Sequence, residues 1–197
     1  MEFFNTVRYQ ENGFTLIEMM ICLGIVLFVS AEVLINFSSL NEASSLNRGA
    51  QELGFAIRRA QNMSFSVVAV GIGHPAVLQI PPSVGIRLSS VAGENKDYFF
   101  FSDLDISLNK KYDEPDERIE PNLVLPGNIH IKKITMQSGV TTPQAHIIFT
   151  TPEATVFLTN YDGTQQADEL HVVLEGISGA TRTVHILTSG QVTISNP

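Results

Sequence analysis

The chain opens with a short mixed segment, residues 1–13, and turns continuously apolar from Phe14 to about Phe37. Glu18 and Glu32 are the only formal charges in that stretch. At about 1.5 Å of rise per residue it makes a helix of roughly 36 Å, enough to cross a hydrocarbon core of about 30 Å with some tilt. Beyond Phe37 the pattern becomes one-sided. Leu46, Ala50, Leu53, Ile57, Ala60 and Ser64 recur at three- and four-residue spacing, while Glu42, Asn47, Arg48, Gln51, Glu52, Arg58, Arg59 and Gln61 take the other directions. Ser38, Ser39 and Asn41 lie at the join, where short polar side chains compete with the helix backbone. The pattern therefore reads as one helix from Phe14 to about Phe65, roughly 78 Å long, or as two helices in succession. In both readings the first part must lie in lipid or among other helices, and the second can pack on a sheet.

From Val67 the periodicity changes to short strands and turns. Candidate strands are Ala76–Ile80, Val84–Leu88, Asp97–Phe101, Ile129–Met136, Ala145–Thr150, Thr155–Thr159, Leu170–Glu175, Arg182–Leu187 and Gln191–Ser195. They are rich in Val, Ile, Phe and Thr, and Gly, Pro, Asn or Asp separate them, an antiparallel signature. Asn160 to Gly163 marks a turn, and Ser189-Gly190 marks the bend of a C-terminal hairpin. The expected fold is α+β, a long N-terminal helix packed against an antiparallel β-sandwich. Its expected parts are a leader at 1–13, a membrane or filament-core helix at 14–37, an amphipathic continuation at 38–66 and a globular β domain at 67–197.

Gly13-Phe14-Thr15-Leu16-Ile17-Glu18, followed by an apolar run, resembles the prepilin signal of type IV pilins and type II secretion pseudopilins. The resemblance implies cleavage between Gly13 and Phe14, N-methylation of Phe14, and a place for Glu18 as the fifth residue of the mature chain. It also supplies a reason for that carboxylate. An acidic group inside an apolar span costs about 2.5–3.5 kcal/mol at its centre and less near an end. Cleavage would create a partner, the ammonium of Phe14 in the same or a neighbouring subunit, and in the family this pairing draws subunits into register. Other implied partners are pilins or pseudopilins, the prepilin peptidase and an assembly platform in the inner membrane. The C-terminal hairpins resemble the H-type minor pseudopilins, whose globular part is an all-β sandwich against the helix. The function expected is that of a minor pilin or pseudopilin, a structural subunit of a type IV pilus or type II secretion pseudopilus, with its globular domain outside the cytoplasm.

The flanking charges differ from that pattern. The leader has Arg8 against Glu2 and Glu11, and Arg48, Arg58 and Arg59 follow the span. The excess of cations on the cytoplasmic side of a span is absent, so the orientation rests on the resemblance. Val29-Ser30-Ala31 is spaced like an ordinary signal-peptidase site, and cleavage there would release a soluble exported binding protein beginning at Glu32. A DNA-uptake pilin is a third reading. It is opposed by a net charge of −8, from twelve Lys and Arg against twenty Asp and Glu, because phosphate affinity needs clustered cations. The basic pairs Arg58-Arg59, Lys110-Lys111 and Lys132-Lys133 read as solvated faces.

Cys22, the single cysteine, lies in the apolar run, allows no intrachain disulfide and is expected as a buried small hydrophobe. The five histidines (His74, His130, His146, His171 and His185) are scattered, without the spacing of a zinc motif. No serine occupies a nucleophile elbow, and Gly71-Ile72-Gly73 lacks the rest of a phosphate loop, so no enzyme is expected. In the acidic stretch Asp103, Asp105, Ser107 and Asn109 alternate and Glu114 falls twelfth, an oxygen pattern that can wrap Ca²⁺. Leu108 stands where the tight turn wants glycine, and Lys110 and Lys111 oppose a cation. A solvated acidic connection is the plainer reading.

Overall fold

A computed structural model describes residues 13–67, 69–72, 77–104, 109–113, 117–119, 122–137 and 139–195. Most of the expected leader and His74 lie outside them. One helix, α1 (Leu16–Ser66), passes through Ser38, Ser39 and Asn41. The chain divides into two compact units, Met1–Leu40 and Asn41–Pro197.

In the first unit, Leu16–Leu34 has a mean hydropathy of 2.2 and none of it is buried. Ser30 donates its hydroxyl to the Val26 carbonyl at 2.7 Å. That bond satisfies a polar group inside the helix itself, as an apolar medium requires. Cys22 is exposed rather than buried, with no described residue of this unit packed over it.

The second unit is a β-sandwich-like body with the amphipathic part of α1 in its core. Its strands are β1 (Val70–Ile72), β2 (Val77–Gln79), β3 (Ser83–Ser89), β4 (Asp97–Phe101), β5 (Leu123–Val124), β6 (His130–Met136) and β7 (Thr141–Thr142). β8 (Gln144–Thr150), β9 (Val156–Asn160), β10 (Gln166–Ala167), β11 (Glu169–Glu175), β12 (Thr181–Leu187) and β13 (Val192–Ser195) follow. One sheet has the order β10-β9-β8-β3-β4-β5, the other β13-β12-β11-β6-β7, and β1 and β2 form a separate hairpin. Every pairing between these strands is antiparallel.

All six stripe residues of α1, Leu46 through Ser64, are buried at 2% exposure or less. The five apolar ones share one core with Val84, Ile86 and Leu88 of β3, Ile147 and Phe149 of β8, Leu170, Val172 and Leu174 of β11, and Val184 and Ile186 of β12. Ser64 fits this stripe because its hydroxyl donates to the Thr150 carbonyl at 2.7 Å. In β6, Ile131 and Ile134 are buried while Lys132 and Lys133 between them face out. The register against β11 skips Lys132, since Val173 faces Lys133 and Leu174 faces Ile131. This bulge restores the inward alternation after two outward residues.

β4 has apolar side chains on both faces. Tyr98 and Phe100 enter the main core, while Phe99 and Phe101 join Ile148, Tyr112 and Phe157 on the opposite side of the sheet. Phe101 lies across Gly85 of β3, where a Cβ would stand 2.5 Å from the ring. Gly85→Ala therefore forces a ring held against Tyr112 and His146 to move. It is expected to lower stability by about 1–3 kcal/mol, the range for overpacking a filled core. Urea denaturation followed by circular dichroism checks this; an unchanged midpoint would show that the ring yields freely.

Candidate functional site

Gly13, Phe14 and Thr15 precede the first helical residue and adopt no regular structure. Phe14 is 75% exposed, and a Cβ on Gly13 would meet nothing within 4 Å. Among the described residues, nothing crowds the backbone at Gly13 and Phe14. Thr15 then starts the helix. Its hydroxyl oxygen accepts the Glu18 N–H at 3.3 Å, and its carbonyl accepts the Met19 N–H at 3.2 Å. Thr15 and Glu18 have the spacing of a capping box, and the Glu18 carboxylate sits in the first turn, where the helix dipole favours negative charge. That carboxylate has no hydrogen-bond or ion-pair partner among the described residues. The arrangement is a helix end with one negative charge on an apolar surface, four residues after Phe14.

Residues 8–31 match the prokaryotic N-terminal methylation motif. The chain carries a prepilin-type N-terminal signal. Such a signal is that of pilin-like or pseudopilin-type exported proteins; it implies processing by prepilin peptidase, assembly with other pilins and anchoring through one helix. The prepilin match stops within the apolar helix and does not reach the β body. No curated protein and no solved structure matches the chain.

Of the five oxygen-bearing residues in the acidic stretch, Asp105, Ser107 and Glu114 lie outside the described residues. The other two belong to a segment that covers Phe99 and Phe101. Asp103, 1% exposed, accepts the Lys110 N–H at 2.6 Å, and its own N–H donates to Ser83 Oγ at 3.1 Å. Asn109 accepts the Lys111 N–H at 3.2 Å and donates to Asp113. Glu117, which sequence reasoning passed over, is 4% exposed and takes the N–H groups of Leu104 at 3.2 Å and Asp113 at 2.8 Å. These carboxylates hold a segment with little regular structure by bonding backbone amides that have no strand partner. The lysines are engaged too. Lys110 places its ammonium 3.7 Å from the centre of the Phe157 ring, and Lys111 pairs with Asp113.

His146 lies beneath this cover, 1% exposed, with Nδ1 3.2 Å from the Asn160 carbonyl. A carbonyl only accepts, so Nδ1 carries the proton of the neutral ring. Burial pushes its pKa down to about 4 from 6.5, although the Asn160 carbonyl acts the other way. Burial also raises the Glu117 carboxyl, against the pull of its two amide donors. Sequence reasoning missed a third feature. The register of β11 and β12 sets His171 opposite His185, with Glu169 two residues along on the same face. The signal was their symmetric placement about the Gly176–Ala180 turn, which becomes visible once the two strands are read as one hairpin.

For His146 the unfolded chain binds a proton below pH 6.5 that the folded chain refuses until about pH 4. Its contribution is therefore fully present above pH 6.5 and lost as pH falls toward 4, by on the order of 3 kcal/mol. Glu117 has the opposite sign: its raised pKa favours the fold at low pH and the benefit fades as pH rises above 4.5. His146→Phe is expected to flatten the loss of stability between pH 6.5 and 4 in denaturant titrations. An unchanged slope would show that another group sets it.

Proposed function

We propose that the chain is a minor pilin or pseudopilin, a structural subunit made as a prepilin, held in the inner membrane and built into a pilus-like filament by helix packing. The observation that carries this reading is the Glu18 carboxylate, without a hydrogen-bond or ion-pair partner among the described residues, in the first turn of an apolar stretch, Leu16–Leu34, none of which is buried. Processing turns Phe14 into an ammonium at the same helix end. Intrahelical pairing would neutralise one subunit, and pairing between neighbours would align two. The apolar stretch gives the packing surface, first for lipid and then for other helices. Partners are other pilins or pseudopilins, the prepilin peptidase and an inner-membrane assembly platform, and the β body stands on the outer side of that membrane.

The acidic balance of the chain and the local capture of Lys110, Lys111 and Lys132 support a protein-facing role for the body over DNA capture. Lys132, for instance, lies 2.5 Å from Glu175.

Mass spectrometry of the mature chain should find N-methyl-Phe14 as its first residue. Glu18→Ala should leave cleavage and membrane insertion intact and reduce recovery in sheared filaments about tenfold or more, since a buried charge pair broken on one side costs several kcal/mol. A chain beginning at Glu32 would instead identify a secreted soluble protein. Unchanged incorporation of the Glu18→Ala protein would remove the carboxylate from the assembly step.

A further inference from the structure

The outward face of the β13-β12-β11-β6-β7 sheet carries a cluster that owes nothing to the N-terminal signal. His171 on β11 pairs in register with His185 on β12. Their ring centres are 4.5 Å apart at an interplanar angle of 60°. Glu169 follows the two-residue period of β11 onto the same face. A single oxygen, Glu169 Oε1, lies 2.9 Å from His171 Nε2 and 3.2 Å from His185 Nδ1.

We propose that Glu169, His171 and His185 form a binding site for a divalent transition-metal ion of the imidazole-preferring class, with Zn²⁺ as its reference member. Three features of the geometry support this. One atom from each residue lies within 4.8 Å of the other two. Ligands about 2.0–2.2 Å from a tetrahedral zinc stand roughly 3.3–3.5 Å from one another, so the oxygen–nitrogen distances need to open by only a few tenths of an ångström. His171 Nε2 is buried and makes no hydrogen bond among the described residues, with Glu169 Oε1 2.9 Å away. A nitrogen in that position is better used through its lone pair, toward an ion between it and the carboxylate.

The third feature is the support behind the ligands. His185 Nε2 lies 2.9 Å from Ser195 Oγ on β13, so the ring is held with Nδ1 turned toward Glu169. Metal-binding histidines are oriented by such an outer hydrogen bond. The three side chains are each about one-third exposed or less. The site is therefore open to ions from solution and leaves a fourth position for water. His130, the other described histidine on this sheet, faces Glu175 at 3.4 Å and lies outside the cluster.

The test is calorimetric titration of the untagged full chain in detergent with ZnCl₂, after chelator treatment and dialysis. One Zn²⁺ per chain is expected. His171→Gln and His185→Gln should each weaken binding by more than about tenfold, and Ser195→Ala by about tenfold through loss of the orienting bond. His130→Gln should change nothing. Ser195→Ala removes a single hydroxyl from a half-buried strand position, so its variant keeps the test decisive if a histidine variant fails to fold. Co²⁺ in place of Zn²⁺ should give visible absorption that His185→Gln abolishes. No binding, or binding indifferent to His171, His185 and Ser195, would overturn the site and leave a simple hydrogen-bonded cluster of a carboxylate and two imidazoles.

Discussion

The structure depends on apolar surface that the chain does not cover. Roughly a dozen large apolar side chains between Leu16 and Leu34 are exposed. At about 1.5–3 kcal/mol for each side chain taken from water, on the order of 20–40 kcal/mol awaits an environment that hides them. No rearrangement of a small body supplies that. A helix apolar on every side is a membrane span or the inside of a bundle, and the prepilin-type signal at its start implies anchoring through that helix and assembly with other pilins. The one charge in its first turn is then significant because of what surrounds it. In water Glu18 would be ordinary, but against lipid or neighbouring helices a carboxylate must find a cation, and in the proposed function cleavage after Gly13 would make one.

The second half of α1 obeys a different rule. There the apolar positions narrow to one face, and the body closes over it. Glycine lets the helix lie close: a Cβ on Gly49 would stand 3.1 Å from Ile129. Glu42 reaches the β11–β12 turn and accepts the Ser178 N–H at 2.8 Å. The body also uses its acids inwardly. Asp103 and Glu117 serve as fixed acceptors for amides in a segment too irregular to satisfy them by strand pairing. That segment is what allows Phe99 and Phe101 to turn away from the main core without meeting water.

Much of this was legible in the sequence. The helix stripe from Leu46 to Ser64 and the eight strands of four or more residues could be read because burial on one face imposes a period, and β2 was read from its apolar composition. β1, β5, β7 and β10 were missed, since two or three residues are too few to show alternation. Asp97–Phe101 was read as a strand, but nothing in the polar composition of the following segment showed that it covers the second face of Phe99 and Phe101. The oxygen pattern from Asp103 to Asn109 invited a cation reading, whereas its described members bond backbone amides. Ser64 was read into the stripe by its spacing alone, and what lets a hydroxyl sit there is its bond to the Thr150 carbonyl. At the N-terminus the signal was readable because chemistry, rather than packing, dictates its residues. The pairing of His171 with His185 was hidden because scattered positions become neighbours only through strand register.

The central claim is that the exposed apolar helix is covered by lipid before it is covered by other helices. Cys22 is the chain's only cysteine and points outward from that helix, so it reports on the cover directly. In isolated membranes holding the unassembled chain, a membrane-impermeant maleimide should fail to label Cys22, and labelling should appear once denaturing detergent dissolves the bilayer. Ready labelling of Cys22 in sealed, intact membranes or in a soluble fraction would contradict the account.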